Sequence, residues 1–202
     1  MSQFALPLDW PAAETENDFI VSPANVEAVR HLGHWSLWPV KATVLTGPRK
    51  SGRSFLGRIF AARSGAMLID GGEQADQEEL FHAWNRSLSD RRPLLIIADA
   101  PCGTWDIALP DLRSRLAATP HVAIQEPDDA LMRGLLERLL AARGIAYAGD
   151  VPEWIARRIE RSYVAVHRAI DALDQAAWAK KRRISISAAR EGLLSANVIE
   201  DS

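Results

Sequence analysis

The sequence has little of the features that mark several specialised classes of protein. Its 202 residues include one cysteine, Cys102, which excludes an internal disulfide framework and a thiolate zinc site. No apolar run approaches the roughly 20 residues of a membrane-spanning helix. The N-terminus has no basic region followed by a long apolar core, so we expect no signal peptide. These absences predict a cytoplasmic protein that has no membrane partner.

Excess charge and clustered histidines are absent as well. The net charge is -2, which provides no overall field to attract nucleic acid. The five histidines are scattered along the chain, so we predict no metal site. Apolar content of 48% and charged content of 25% are ordinary for a globular protein. The length allows one or two domains with a substantial core.

One stretch predicts a phosphate-binding loop between a buried strand and a helix. Residues 47–54 read Gly-Pro-Arg-Lys-Ser-Gly-Arg-Ser, the spacing of the G-x-x-x-x-G-K-[ST] motif. Arg53 stands in the position of the lysine, and Ser54 in the position of the hydroxyl that binds magnesium. Backbone N–H groups at a helix N-terminus favour a bound phosphate. The candidate residues of this loop are Gly47, Pro48, Ser51, Gly52, Arg53 and Ser54. An ordinary strand–turn–helix that once bound nucleotide is the open alternative.

The next apolar segment predicts a Walker B strand. Met67–Asp70 ends in an acid, and we assign Asp70 to the same candidate site. The following residue is Gly71, where a second carboxylate normally orients the attacking water. We therefore expect no efficient ATP hydrolysis by this chain, and we expect a regulatory protein rather than an enzyme.

The order of apolar segments predicts an α/β domain followed by a helical one. Candidate strands cover 42–46, 67–70, 93–98 and 122–124, and candidate C-terminal helices cover 128–143, 152–161, 162–180 and 187–194. We place a flexible tail at 1–17, the α/β domain at 18–126 and the helical domain at 127–202.

The tail contains a compact apolar hexamer, Gln3-Phe4-Ala5-Leu6-Pro7-Leu8. It either docks on the protein's own core or fills a pocket of a partner, with Pro7 limiting the entropy lost on ordering. The hexamer resembles the sliding-clamp-binding motif of bacterial replication proteins, Q-L-x-L-P-L, with Phe4 in place of the usual leucine.

Several motifs in one order resemble the Hda/HdaA family, the DnaA-related regulatory proteins of the AAA+ class. After the hexamer and Phe19-Ile-Val-Ser-Pro-Ala-Asn25 comes the loop at 47–54. The series is completed by four further segments: Leu109-Pro-Asp-Leu-Arg-Ser-Arg-Leu116, Glu126-Pro-Asp-Asp129, Arg158-Ile-Glu-Arg-Ser162 and Ala169-Ile-Asp-Ala-Leu-Asp-Gln175. The likeness covers nearly the whole chain.

The resemblance implies an AAA+ parallel sheet with a C-terminal helical lid. It implies ADP in preference to ATP as the nucleotide, and it leaves open whether Mg²⁺ accompanies the nucleotide. It implies a negative regulator of replication initiation that binds the DNA polymerase III sliding clamp through Gln3, Phe4, Leu6, Pro7 and Leu8. This regulator then stimulates ATP hydrolysis by DnaA. A homodimer is one open oligomeric state.

The resemblance also assigns two arginine roles. Arg115 matches the arginine finger that completes a neighbouring subunit's nucleotide site. Arg161 matches the sensor-2 arginine, with Arg158 as the alternate.

The sequence departs from the family in the spacing between the loop helix and Met67. Only residues 61–66 separate them, too few for another strand and helix. We therefore predict a sheet of about four strands that lacks the usual second one. The chain ends at Ser202 without the helix-turn-helix segment of DnaA initiators, so we expect no sequence-specific DNA binding.

Two other functions stay open at this point. One is a small P-loop ATPase that uses Ser54 and Asp70 for its own Mg-ATP. The other is a clamp-binding interaction protein that has lost the DnaA partnership.

Overall fold

A computed structural model describes residues 19–180 and 183–200 of the protein. Within these residues the chain forms four strands and eight α-helices, with short 3₁₀ turns at Trp35–Leu37 and Cys102–Thr104. The strands are β1 (Ala42–Thr46), β2 (Met67–Asp70), β3 (Leu94–Ile97) and β4 (His121–Ala123). The helices are α1 (Val26–Gly33), α2 (Arg53–Ser64), α3 (Gln77–Ser89), α4 (Pro110–Ala117), α5 (Asp129–Ala142), α6 (Val151–Ala156), α7 (Tyr163–Lys180) and α8 (Ile186–Ser195).

The four strands form one parallel sheet in the order β2-β3-β1-β4. This confirms the predicted reduced parallel sheet. The sheet has only four strands because the connection after α2 is short. Helix α2 is followed by Gly65, which adopts a left-handed conformation with φ of 69°. Strand β2 begins two residues later, at Met67, and pairs directly with β3.

Helices cover both faces of the sheet, and the side chains of β3 alternate between the two cores. Leu95 and Ile97 pack with α1 and α2, whereas Leu94 and Ile96 pack with α3 and α4. All four residues of β3 are at most 1% exposed. Burying such a side chain stabilises the fold by about 1.5–3 kcal/mol. The unbroken apolar run of β3 thus reflects burial on both faces.

Helices α5 to α8 form the C-terminal lid around a core of their own. Its centre includes Leu136, Leu140, Val166 and Leu173, all fully buried. The sequence predicted a helix over 152–161, but α6 ends at Ala156. The Arg158 N–H bonds back three residues to the Ile155 carbonyl at 2.8 Å, which tightens the last turn and ends the helix. Among the described residues, no helix is both long and apolar enough to cross a membrane.

Tyr163 joins the lid to the α/β core. It opens α7, is 3% exposed, and packs in the same core cluster as residues of α1 and α2. Its hydroxyl donates a hydrogen bond to the Gln125 carbonyl at 3.0 Å. Burial first, and then Glu126 and Asp128, raise the pKa of Tyr163 to about 12. The phenol therefore stays protonated and serves as a donor at neutral pH.

Two histidines bond to threonines of β1. The Thr43 hydroxyl donates to the Pro120 carbonyl, so His31 Nε2 donates to Thr43 Oγ1 at 2.8 Å. His121 Nε2 lies 2.7 Å from Thr46 Oγ1. His31 is half-buried and His121 is more exposed, and desolvation of each ring lowers the pKa of both imidazoles. The folded state therefore favours the neutral rings.

We expect Tyr163→Phe to lower the free energy of unfolding by about 1 kcal/mol, because it removes one hydrogen bond and leaves the Gln125 carbonyl without its donor. Urea unfolding at pH 7.5, followed by circular dichroism, measures the change. A variant as stable as the wild type would contradict this role for the hydroxyl.

We expect the protein to lose stability as the pH falls below about 6.5, the pKa of a histidine in the unfolded chain. In this window the unfolded state binds more protons than the folded state, so acidification favours unfolding. Urea unfolding at several pH values between 7.5 and 5.5 measures the slope. The double variant His31→Gln/His121→Gln should flatten the slope, whereas His34→Gln, at an exposed position, should leave it unchanged. An equal slope in the double variant would refute the assignment.

Candidate functional site

The predicted phosphate loop lies at the carboxyl end of β1, in the middle of the sheet. Gly47 has φ of 155° and Gly52 has φ of 87°, and Lys50 also adopts a left-handed conformation at 66°. A Cβ atom on Gly47 would lie 2.9 Å from the Ile124 carbonyl oxygen. Only glycine fits there. The loop then leads directly into the N-terminus of α2 at Arg53.

Ser51 supplies a polar atom inside this loop. The residue is 7% exposed, and its Oγ is buried without a hydrogen-bond partner among the described residues. The Oγ lies 3.3 Å from the position of a Cβ on Gly47, so it points across the loop. A buried hydroxyl normally has a partner. Together with the positive end of α2, this hydroxyl makes the loop suitable for an anion.

Arg53, in the position of the motif lysine, reaches the end of β3. Its guanidinium donates to the Ala98 carbonyl and to Asp99 Oδ1. The Arg53 side chain is 11% exposed, whereas that of Asp99 is 61% exposed. The cation at the lysine position of the motif is therefore already bound by a carboxylate of the protein.

Three carboxylates, those of Asp70, Glu73 and Asp99, follow or end the strands at this edge of the sheet. Asp70, the predicted Walker B acid, is exposed at the end of β2. The N–H groups of Gly71 and Gly72 both bond to the Ile97 carbonyl, which turns the chain over the end of β3. Glu73 Oε1 then accepts the Asp99 N–H at 2.8 Å, and Glu73 Oε2 is buried without a partner in the described part of the chain.

Glu73 and Asp99 are absent from the predicted site residues. The motif places the second acid at position 71 alone, and the proline and glycine that follow Asp99 favour a turn. Asp99 could have been found from its place directly after β3, because β3 neighbours β1 in the sheet and the two strands end at the same edge. Glu73 has no comparable signal, since its position depends on the turn at Gly71 and Gly72.

The donors of the loop fit a phosphate group of a nucleotide. These donors are backbone N–H groups, the Ser51 hydroxyl just before α2, and the half-buried Ser54 hydroxyl in its first turn. A bound ADP would supply negative charge at the positive end of this helix. No group of three or more metal-ligating side chains occurs among the residues the structure describes.

Helix α7 of the lid carries a histidine with a lowered pKa. His167 is half-buried in this helix, and burial first, then the charges of Lys50 and Arg143, lower its pKa, while Asp171 opposes the shift.

The two candidate sensor-2 arginines contact residues of the lid. Arg161 lies two residues before α7 begins and pairs with Asp129 at 2.7 Å, with its side chain 63% exposed. Arg158 lies over the ring of Trp154 at 4.4 Å and donates to the Trp154 carbonyl at 3.2 Å. Neither of these contacts is with a residue of Gly47–Ser54.

Arg115 lies on α4 and contacts aromatic rings of α3. Its guanidinium stacks over Trp84 at 4.5 Å and over Phe81 at 4.9 Å, both on α3. The residue is half-buried, so part of it stays accessible. Arg113, two residues earlier, is exposed and donates to the Ile107 carbonyl. The predicted clamp ligand, Gln3, Phe4, Leu6, Pro7 and Leu8, lies outside the described residues.

Comparisons with known proteins concern the fold and the C-terminal helices. Residues 129–193 match the family model of the Hda lid domain. The fold is similar to domain III of the replication initiation protein DnaA from Thermotoga maritima, with a TM-score of 0.76, 15% identity, and coverage of 93% of this chain and 98% of that chain.

More distant structures share the fold. A structure described as a DNA replication initiation factor gives a TM-score of 0.65 at 16% identity, covering 81% of this chain and 65% of that chain. A single-residue variant of RuvB from Thermotoga maritima gives a TM-score of 0.67 at 13% identity, covering 90% of this chain and 72% of that chain. These identities support the fold, whereas the lid match carries the family resemblance. The chain therefore has a fold similar to that of DnaA domain III, and its residues 129–193 match the Hda lid domain.

Proposed function

We propose that this protein regulates the initiation of DNA replication as an adaptor that does not hydrolyse nucleotide itself. It binds the sliding clamp through its N-terminal hexamer and stimulates ATP hydrolysis by DnaA in trans. The observation that carries this proposal is the Hda lid domain at 129–193 on a fold similar to DnaA domain III. The partners are the clamp and DnaA, the protein acts in the cytoplasm, and a homodimer is an open oligomeric state.

Arg115 is the residue that we propose to act on DnaA. An arginine supplied in trans stabilises the charge that develops on the transferred phosphoryl group. The stacking on Trp84 and Phe81 holds the guanidinium at the surface of α3 and α4, which reduces the entropy lost when it enters a partner's site. A guanidinium carries five N–H donors, and the half-buried Arg115 keeps part of its surface accessible to phosphate oxygens.

The chain's own loop supports a non-hydrolysing role. Arg53 donates to Asp99 and to the Ala98 carbonyl, so its charge is partly neutralised. Gly71 occupies the position of the second Walker B acid. An efficient ATPase needs a cation free to stabilise the phosphoryl group and a group that orients water. We therefore propose that the loop has a structural role and that the chemistry takes place on DnaA.

We expect Arg115→Ala to reduce the stimulation of DnaA ATP hydrolysis by about 10³-fold, the lower end of the range for arginine fingers. The assay uses radiolabelled ATP on DnaA with the clamp loaded on DNA. Arg113→Ala is the matched control, because it removes one exposed positive charge from the same helix. Full stimulation by Arg115→Ala, or an equal loss in Arg113→Ala, would contradict the finger role.

We expect removal of residues 1–9 to weaken binding to the sliding clamp by at least about tenfold, equivalent to 1.4 kcal/mol. Surface plasmon resonance on immobilised clamp measures the affinity. The control variant Glu14→Gln/Glu16→Gln changes the charge of the same segment and keeps the hexamer. Unchanged affinity after the deletion would show that the clamp contact lies elsewhere or does not exist.

A further inference from the structure

Three charged residues form a connected group at the carboxyl edge of the sheet. The proposed contacts with the clamp and DnaA do not involve this group. Arg53 from the start of α2 donates to the Asp99 carboxylate, which follows β3. The Asp99 N–H in turn donates to Glu73 Oε1 at 2.8 Å. The group therefore links the ends of β2 and β3 to the phosphate loop.

Arg53 occupies the position from which a phosphate loop binds the phosphates of its nucleotide. In a phosphate loop the cation at this position reaches the β- and γ-phosphates of the nucleotide. A guanidinium fork matches the geometry of a carboxylate and of a phosphate. Here the Arg53 fork is engaged by Asp99 and the Ala98 carbonyl, so a phosphate must displace Asp99 to obtain the same contacts.

One buried polar atom of the phosphate loop points to a ligand, and a second buried atom belongs to Glu73. Ser51 Oγ, in a residue that is 7% exposed, lies across the loop without a partner among the described residues. Glu73 Oε2 is also buried and lacks a partner in that part of the chain. The Ser51 hydroxyl can donate to an anion, whereas the Glu73 carboxylate holds the Asp99 backbone in place and keeps Asp99 beside Arg53.

We propose that Asp99 is an internal competitor of nucleotide phosphate for Arg53, and that this competition sets a weak affinity of the loop for nucleoside diphosphates. Glu73 acts as a positioning residue, because its contact is with the Asp99 N–H and not with the guanidinium. The exposure of Asp99, 61% of its side chain, allows it to swing away when a phosphate binds. The competition takes place in the chain's own loop and does not depend on the clamp or on DnaA.

Calorimetric titration with ADP in EDTA measures this affinity under conditions where no metal can act through the carboxylates. We expect Asp99→Asn to raise the affinity for ADP at least about tenfold, since one ionic hydrogen bond no longer competes. Asp99→Ser, which also removes the carboxylate, should give a similar gain. Asp106→Asn is the matched control, because it removes the same charge at an exposed position between β3 and α4.

A double-variant cycle separates competition from a general effect of charge. In an Arg53→Ala background, Asp99→Asn should give no gain in ADP affinity, because there is no guanidinium left to release. The proposal would be overturned if neither Asp99 variant gained affinity for ADP. It would also be overturned by an equal gain in affinity in Asp106→Asn or in the Arg53→Ala background. A third contradicting result is that neither the wild type nor Asp99→Asn binds ADP detectably. The melting temperature of each variant confirms that it is folded.

Discussion

Strand β1 pairs with β3 on one side and with β4 on the other. This pairing determines where the phosphate loop and the residues around it lie. Because β1 lies between these strands, its carboxyl end delivers the phosphate loop between Asp99 and Ile124. The Ala98 N–H bonds to the Leu45 carbonyl at 3.0 Å, and the Ile124 N–H bonds to the Thr46 carbonyl at 2.8 Å, so both neighbours continue the ladder beyond the strand ends. The loop therefore has little freedom, and its Gly47 must be glycine.

Sequence patterns could predict the parts of this structure that depend on short segments. Strand β1, the loop and the start of α2 are contiguous, and their periodicity and glycines indicate them directly. The four-stranded sheet also followed from local evidence, because residues 61–66 leave no room for another strand. The end of α6 at Ala156 could not be predicted, since a tightened last turn stops the helix before Arg157 while apolar and charged residues continue in a helical pattern.

The side-chain group at the sheet edge could be predicted only in part. Arg53 is recognisable as a departure from the motif, but its partner Asp99 lies 46 residues away. Glu73 reaches Asp99 only because two glycine N–H groups bond to the Ile97 carbonyl and fold the chain back. Contacts of this kind depend on the three-dimensional course of the backbone, which a motif does not describe. Arg115 was identified by resemblance, whereas its stacking on Trp84 and Phe81 emerged only from the packing of α3 against α4.

In the proposed function, ATP is hydrolysed in the nucleotide site of DnaA and not in the phosphate loop of this chain. A single-turnover assay with ATP preloaded on DnaA, clamp on DNA, and the variant Ser54→Ala/Asp70→Ala tests this claim. We expect the variant to accelerate hydrolysis of the DnaA-bound ATP as well as the wild type does. Loss of the acceleration in a folded variant, or no acceleration by the wild type, would contradict it.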